Sequence, residues 1–156
     1  MNIYYDFHIH SCLSPCGDDD NTPNNIVNMA LIKGLNAIAL SDHNTGKNCP
    51  ATIAAGKKNG LVVLPAMELT TSEDIHVLCL FEKYEQLASL EEYIAPRRLR
   101  IKNREEIFGR QLIMNEFDEL IGREEDLLIV SSGVSVEDAA ALVASCLLYT
   151  SPSPRD

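Results

Sequence analysis

The chemistry available to this chain is concentrated in four histidines and one glutamate. His8 and His10 stand one residue apart in DFHIHSC (6–12), His43 lies in SDHNT (41–45), Glu68 in AMELTT (66–71) and His76 in DIHVL (74–78). In an extended strand residues i and i+2 leave the backbone on the same side, so His8 and His10 project together. Two neutral imidazoles side by side each need a hydrogen-bond partner. A divalent cation satisfies both at once, and mixed imidazole and carboxylate donors suit zinc, manganese or iron. A glutamate among them is the residue type that bridges adjacent metals. Singly, each residue has a plainer explanation: a hydrogen-bonded structural histidine, a solvated strand-end Glu68, an N-capping Asp42, a solvated loop at Asp18, Asp19 and Asp20. The plainer explanations do not account for every histidine falling at a strand end.

Those strand ends follow from hydrophobic pattern and punctuation. NIYYDFHI (2–9) predicts a first strand. TPNNIVNMALIKG (22–34) predicts a helix with Thr22 as N-cap, Pro23 at the first helical position, Gly34 as stop and an apolar face at Ile26, Met29 and Ala30. NAIALSD (36–42) reads as a buried parallel strand, CPATIAAGKKNG (49–60) as a short helix ending at Gly60, LVVLPAMEL (61–69) as a third strand and IHVLCLF (75–81) as a fourth. The link between the last two is too short for a helical crossover, so the fourth strand should run antiparallel to the third and return His76 to the rim that holds Glu68. Residues 89–122 read as helix-rich and charged, LLIVSS (127–132) as a brief strand, and SVEDAAALVAS (135–145) as a helix capped by Ser135. Strands alternating with helices over short connections predict an α/β fold with a mostly parallel sheet, whose ligand sites collect at the carboxyl ends of the strands.

Whole-chain properties narrow the function further. At 156 residues and 46% apolar content the chain suits one domain with a real core. No apolar run approaches the roughly 20 residues of a membrane helix, and no basic, then apolar leader precedes the first strand. Five cysteines without a CxxC pair read as reduced thiols of a cytoplasmic protein; Cys12 and Cys16 read as ordinary thiols rather than ligands. A net charge of −10 argues against extended duplex nucleic acid as a partner, although bound cations would reverse the local field. The one basic stretch, RRLRIKNR (97–104), reads as a solvated helix face. The tail CLLYTSPSPRD (146–156) runs on without cap or glycine and resembles translated adapter sequence. It predicts a domain over 1–145, incomplete at its C-terminus, followed by a disordered non-native tail.

In combination, FHIHS, the aspartate loop leading into TPNNIV, GLNAIALSDHNT, GLVVLPAMELTT and IHVLCLF resemble the PHP (polymerase and histidinol phosphatase) domain family over residues 3–81, with compatible sequence to about 145. The resemblance implies the N-terminal part of a distorted (β/α)7 barrel, TIM-like, with two or three divalent metals at its C-terminal rim. It implies that His8 and His10 are the paired ligands of the first metal, Glu68 the bridging ligand, and His43 a ligand with Asp42 in support behind it. His76 matches the histidine after the glutamate, and Asp18, five residues before Pro23, matches the early aspartate in preference to Asp19 or Asp20. Asp18 and His43 are the candidate catalytic residues among these. Family members carry a further histidine and a D-x-H pair late in the chain, whereas this sequence has no histidine after His76.

The expected reaction is hydrolysis of a phosphoester by metal-activated water, on a small phosphorylated metabolite, a nucleotide or a short oligonucleotide end. Two alternatives stand beside it: a non-catalytic structural module of the same fold, and a C–N hydrolase using the same metal chemistry. The sequence does not define the oligomeric state.

Overall fold

The structure, a computed structural model, describes residues 2–148. Its elements in chain order are β1 (Tyr5–Ile9), α1 (Pro23–Ile32), β2 (Ala37–Leu40), α2 (Cys49–Asn59), β3 (Val62–Thr70), β4 (His76–Leu80), α3 (Tyr84–Ile94), α4 (Glu105–Phe108), β5 (Leu112–Met114), β6 (Leu120–Arg123) and α5 (Val136–Leu148). The main sheet has the order β1-β2-β3-β4, with β1, β2 and β3 parallel and β4 antiparallel to β3. The fold is mixed α/β. The hairpin expected of the short 71–75 link is present, pairing Thr70 with His76 and Glu68 with Leu78.

The helices seal the sheet with the residues their spacing selects. Ile26, Val27 and Ala30 of α1 are buried, while Met29, expected on that face, is exposed. They join Ile38 and Leu40 of β2, Met67 and Leu69 of β3, and Leu87, Leu90 and Ile94 of α3 in one cluster. Each large apolar side chain so enclosed contributes about 1.5–3 kcal/mol. Gly60 ends α2 in the left-handed conformation at φ 76°, as its position predicts. Ser135 Oγ accepts the Asp138 N–H at the start of α5, also as expected. Thr22 precedes Pro23 but makes no side-chain cap; its hydroxyl donates to Asp118 instead.

Three expectations are corrected. Residues 89–122 are not helix-rich: beyond α3 they hold only the single turn α4 and then the β5–β6 hairpin. The Asn115 side chain accepts the N–H groups of Phe117 and Glu119 and sets that turn, the kind of local bond that competes with helix. The basic stretch 97–104 is no helix face either; Arg97 and Arg98 close the turn after α3, and the chain then leaves the helix, with Leu99 N–H donating to Ser131 O and Ile101 O accepting from Leu127. Residues 127–132 form no strand. The centre of the segment is held by amide side chains, with Asn44 Nδ2 donating to Leu128 O and Val130 O and Gln111 Oε1 accepting the Leu128 N–H.

α5 carries the described backbone three residues into the segment expected as a tail, and 149–156 lie outside the described residues. Among the described residues no helix is long and apolar enough to cross a membrane.

Candidate metal centre

Strand periodicity and two parallel crossovers bring the predicted ligands to one rim. His8 lies within β1 and His10 one residue past its end, while Ser41 N–H donates to Ile9 O and holds the β2 exit beside them. Beyond β2 the chain keeps pairing with β3: Glu68 N–H donates to Asp42 O, Asn44 N–H to Glu68 O, and His43 forms an isolated parallel bridge with Glu68. Asn44 makes this possible by taking φ 54°, a left-handed conformation asparagine tolerates, with its Oδ1 accepting the Thr70 N–H. His76, opposite Thr70, lies diagonal to Glu68 on the same face of the hairpin.

The result is one buried carboxylate facing four imidazoles. Glu68 Oε2 lies 2.9 Å from His8 Nε2, 2.9 Å from His10 Nε2 and 3.6 Å from His43 Nδ1, while Oε1 lies 2.8 Å from His76 Nδ1. Neighbouring rings are 4.7–5.2 Å apart between centroids. Burial alone would raise the Glu68 pKa, but bonds from His8 and His76 and the His43 and His10 charges bring it below the ordinary value. His43, 3% exposed, is pushed down to about 4 by burial, against the pull of Glu68. Its Nδ1 has no hydrogen-bond partner, since 3.6 Å is too long for one.

Behind the histidines sits Asp42, 1% exposed. It accepts Ser11 N–H at 2.7 Å, Ser11 Oγ–H at 2.7 Å and Ser14 Oγ–H at 2.7 Å. Burial raises its pKa and those bonds oppose the rise. Ser14 Oγ in turn lies 3.1 Å from His10 Nδ1 and accepts His43 N–H at 3.2 Å. The single Ser14 proton goes to the carboxylate, so His10 Nδ1 must be the donor in its contact with Ser14. His10 Nε2 then presents a lone pair to Glu68 Oε2 at 2.9 Å. Two acceptors at that distance repel unless a proton or a cation lies between them. Burial pushes the His10 pKa down despite Asp42 and Glu68, and a cation between the two acceptors would remove the repulsion. The donor set therefore fits a metal. Asp42 supports the site through Ser14 and His10, not His43 alone.

Three groups place one donor atom from each member within 4.8 Å of the others: His8, His10 and Glu68; His43, Glu68 and His76; and His10, Cys16 and His43. The first two share Glu68, with Oε2 on the His8 and His10 side and Oε1 on the His76 side, which is the arrangement of a bridging ligand. Asp18 is in none of these groups. It is exposed, and its carboxylate accepts the Asp20 N–H at 2.9 Å, so the loop closes on itself there instead of delivering the side chain to the rim. Asp19 pairs with Arg110, and Asp20 is exposed. Cys16, read from sequence as an ordinary thiol, has its Sγ 3.4 Å from His43 Nε2. Ser11, Ser14 and Cys16 also border the cluster; sequence reasoning passed over the two serines and set Cys16 aside as an ordinary thiol. The signal was their place directly after the paired histidines, in HSCLSPC.

A family model for the PHP domain matches residues 6–139. The 5'-3' exoribonuclease of Haemophilus influenzae is 32% identical over 87 residues, which cover 53% of this chain and 31% of the relative. The chain thus spans 31% of the length of that curated relative. Among solved structures, a candidate metal-dependent phosphoesterase from Bifidobacterium adolescentis aligns with a TM-score of 0.47 at 26% identity, over 63% of this chain and 35% of that one. An amidohydrolase from Chromobacterium violaceum, with bound sulfate and no metal, aligns with a TM-score of 0.46 at 25% identity, over 62% and 34%.

Proposed function

The chain belongs to the PHP domain family, and from that premise we propose that it is a metal-dependent phosphoesterase domain, hydrolysing phosphoester bonds of small phosphorylated metabolites, nucleotides or oligonucleotide ends. The observation that carries the proposal is the Glu68 carboxylate set among four imidazoles, with His8 Nε2 and His10 Nε2 each 2.9 Å from Oε2 and His76 Nδ1 2.8 Å from Oε1. It calls for a cation where the family reading expects one. The exoribonuclease relative supports a phosphodiester or nucleotide substrate. The barrel expected from the sequence, of which the β1–β4 sheet would be the first part, belongs to the same proposal.

His8, His10, Glu68, His43 and His76 would hold two or three cations, zinc, manganese or iron, with Glu68 shared. Divalent cations there supply Lewis-acid polarisation of phosphoryl oxygens and acidify water towards neutral pKa. The chain's own residues do the rest. Asp42, through the Ser14 hydroxyl, keeps the His10 proton on Nδ1 and its Nε2 free. Asn44 pins His43 beside Glu68 from within the core. The side chains of His8 and His76 are 53% and 37% exposed, which leaves the mouth of the cluster open to a phosphorylated substrate.

The test is phosphate or nucleotide release by the protein loaded with manganese or zinc, from nucleoside monophosphates and bisphosphates, 5'-phosphorylated oligonucleotides and a simple phosphomonoester. Release from at least one, lost in Glu68→Ala, is expected. No release from any by metal-replete protein rejects hydrolysis of this class.

A further inference from the structure

The third donor group uses a residue the proposed function does not need. Cys16 Sγ lies 3.4 Å from His43 Nε2, on the side of the ring opposite the Nδ1 that faces Glu68. A zinc ion holds thiolate sulfur at about 2.3 Å and imidazole nitrogen at about 2.0 Å, so two such ligands at a tetrahedral angle stand about 3.5 Å apart. The observed separation, which also suits a thiol–imidazole hydrogen bond, matches that of two ligands on one ion. His10 brings a third donor within 4.8 Å of both.

The loop that presents the thiol is built tightly. Ser14 N–H donates to Ser11 O at 3.1 Å and Gly17 N–H to Ser14 O at 2.8 Å. A Cβ on Gly17 would lie 2.0 Å from Ser11 O, so only glycine lets the chain turn there directly after Cys16. His43 is a nearly fully buried imidazole whose Nδ1, on the Glu68 side, lacks a hydrogen-bond partner, so that nitrogen is free to carry the ring proton while Nε2 takes a ligand. With a cation on Nε2, the ring proton resides on Nδ1 and points towards Glu68 Oε2, the carboxylate-supported arrangement common among metal-binding histidines.

We propose that Cys16 is a metal ligand, its thiolate joining His43 Nε2 on one cation and biasing that position towards thiophilic ions such as zinc over manganese or magnesium. The proposal rests on the metal-centre reading above and adds a ligand to it. On binding, the thiol S–H bond breaks, its proton leaves to solvent along the exposed face of Cys16, and a sulfur–metal bond forms.

The test is a cobalt(II) titration of the metal-free protein, followed in the near ultraviolet, where sulfur-to-cobalt charge transfer absorbs and imidazole and carboxylate ligands do not. The wild type should develop the band and lose it on adding zinc. Cys16→Ser should lack it and bind cobalt more weakly, by at least the ~10–100-fold that follows loss of a ligand's outer partner. Cys16→Asp should bind cobalt without the band and prefer manganese more than the wild type does. Circular dichroism checks that the variants fold; Cys16 is exposed, so both should. Cobalt bound by the wild type without the band, or a band that persists in Cys16→Ser, overturns the Cys16 assignment and leaves the Glu68 centre standing. Failure of the wild type to bind cobalt at all overturns both.

Discussion

His10 Nε2 and Glu68 Oε2 lie 2.9 Å apart, and a Ser14 hydroxyl that gives its proton to Asp42 favours the His10 tautomer with its proton on Nδ1 and a lone pair facing Glu68. Everything proposed for the site builds on this contact. The proton assignment itself rests on Asp42, whose buried carboxylate takes the Ser14 hydroxyl proton.

Ser14→Ala should therefore weaken metal binding without touching a ligand. Freed of Ser14, His10 can place its proton on Nε2 and donate to Glu68. The expected loss in zinc or manganese affinity is ~10–100-fold, the range for removal of a ligand's supporting partner. The variant should also lose about 1–3 kcal/mol in urea unfolding, since Asp42 gives up one of three donors. Unchanged affinity by calorimetric titration contradicts the relay.

Acid should destabilise the metal-free protein. Unfolded, His43 takes up a proton near its ordinary pKa of 6.5; folded, it does so only at about 4. Between those values the unfolded chain binds the extra proton, so stability falls as pH drops from about 6.5 to 4. His10, also lowered, adds the same sign, while Asp42, raised by burial, acts in the opposite one. Glu68, His10, His76, His8 and Cys16 are the titratable groups that face His43. A loss on the order of 2 kcal/mol is expected across that window. Urea midpoints should follow it, and His43→Asn should flatten the slope. A wild-type midpoint that stays level or rises towards pH 4 contradicts it.

The Gly17 turn predicts a packing defect at the site. Gly17→Ala drives a methyl group to within 2.0 Å of Ser11 O, so the loop must shift. Overpacking of this kind costs about 1–3 kcal/mol. The shift moves Ser11 and Ser14 off Asp42, so metal affinity should fall together with the urea midpoint. A variant as stable and as well loaded as the wild type contradicts the tight turn.

Asn44 ties the rim to the far loop, and its removal should be costly although its side chain bonds to no ligand. Asn44→Ala strands Leu128 O, Val130 O and Thr70 N–H in buried surroundings and leaves alanine at φ 54°. Three lost bonds at about 1 kcal/mol each predict a loss of about 3 kcal/mol. A urea-derived loss below about 1 kcal/mol contradicts the role.

The clustering of the four histidines about Glu68 was legible in the sequence because strand period and loop length are local properties. His8 and His10 share a face by spacing alone, and the short 71–75 link fixes the hairpin that returns His76 to Glu68. What the sequence hid depends on distant partners. LLIVSS has the composition of a strand, yet Asn44 and Gln111 take its backbone groups through amide side chains, which no local pattern announces. The β5–β6 hairpin hid behind charge, although Asn115 marks its turn. Asp18 was placed by counting back from Pro23, and the count cannot see the bond that turns its carboxylate onto the Asp20 backbone. Ser14 and Cys16 looked ordinary until the loop folded over His10 and His43.

The most direct test of the central claim is anomalous diffraction from zinc-loaded crystals. Bound zinc should appear in contact with Glu68 and at least two of His8, His10, His43 and His76. Zinc found only elsewhere, with the Glu68–imidazole contacts intact, or no zinc at all, would contradict a metal centre built on this carboxylate.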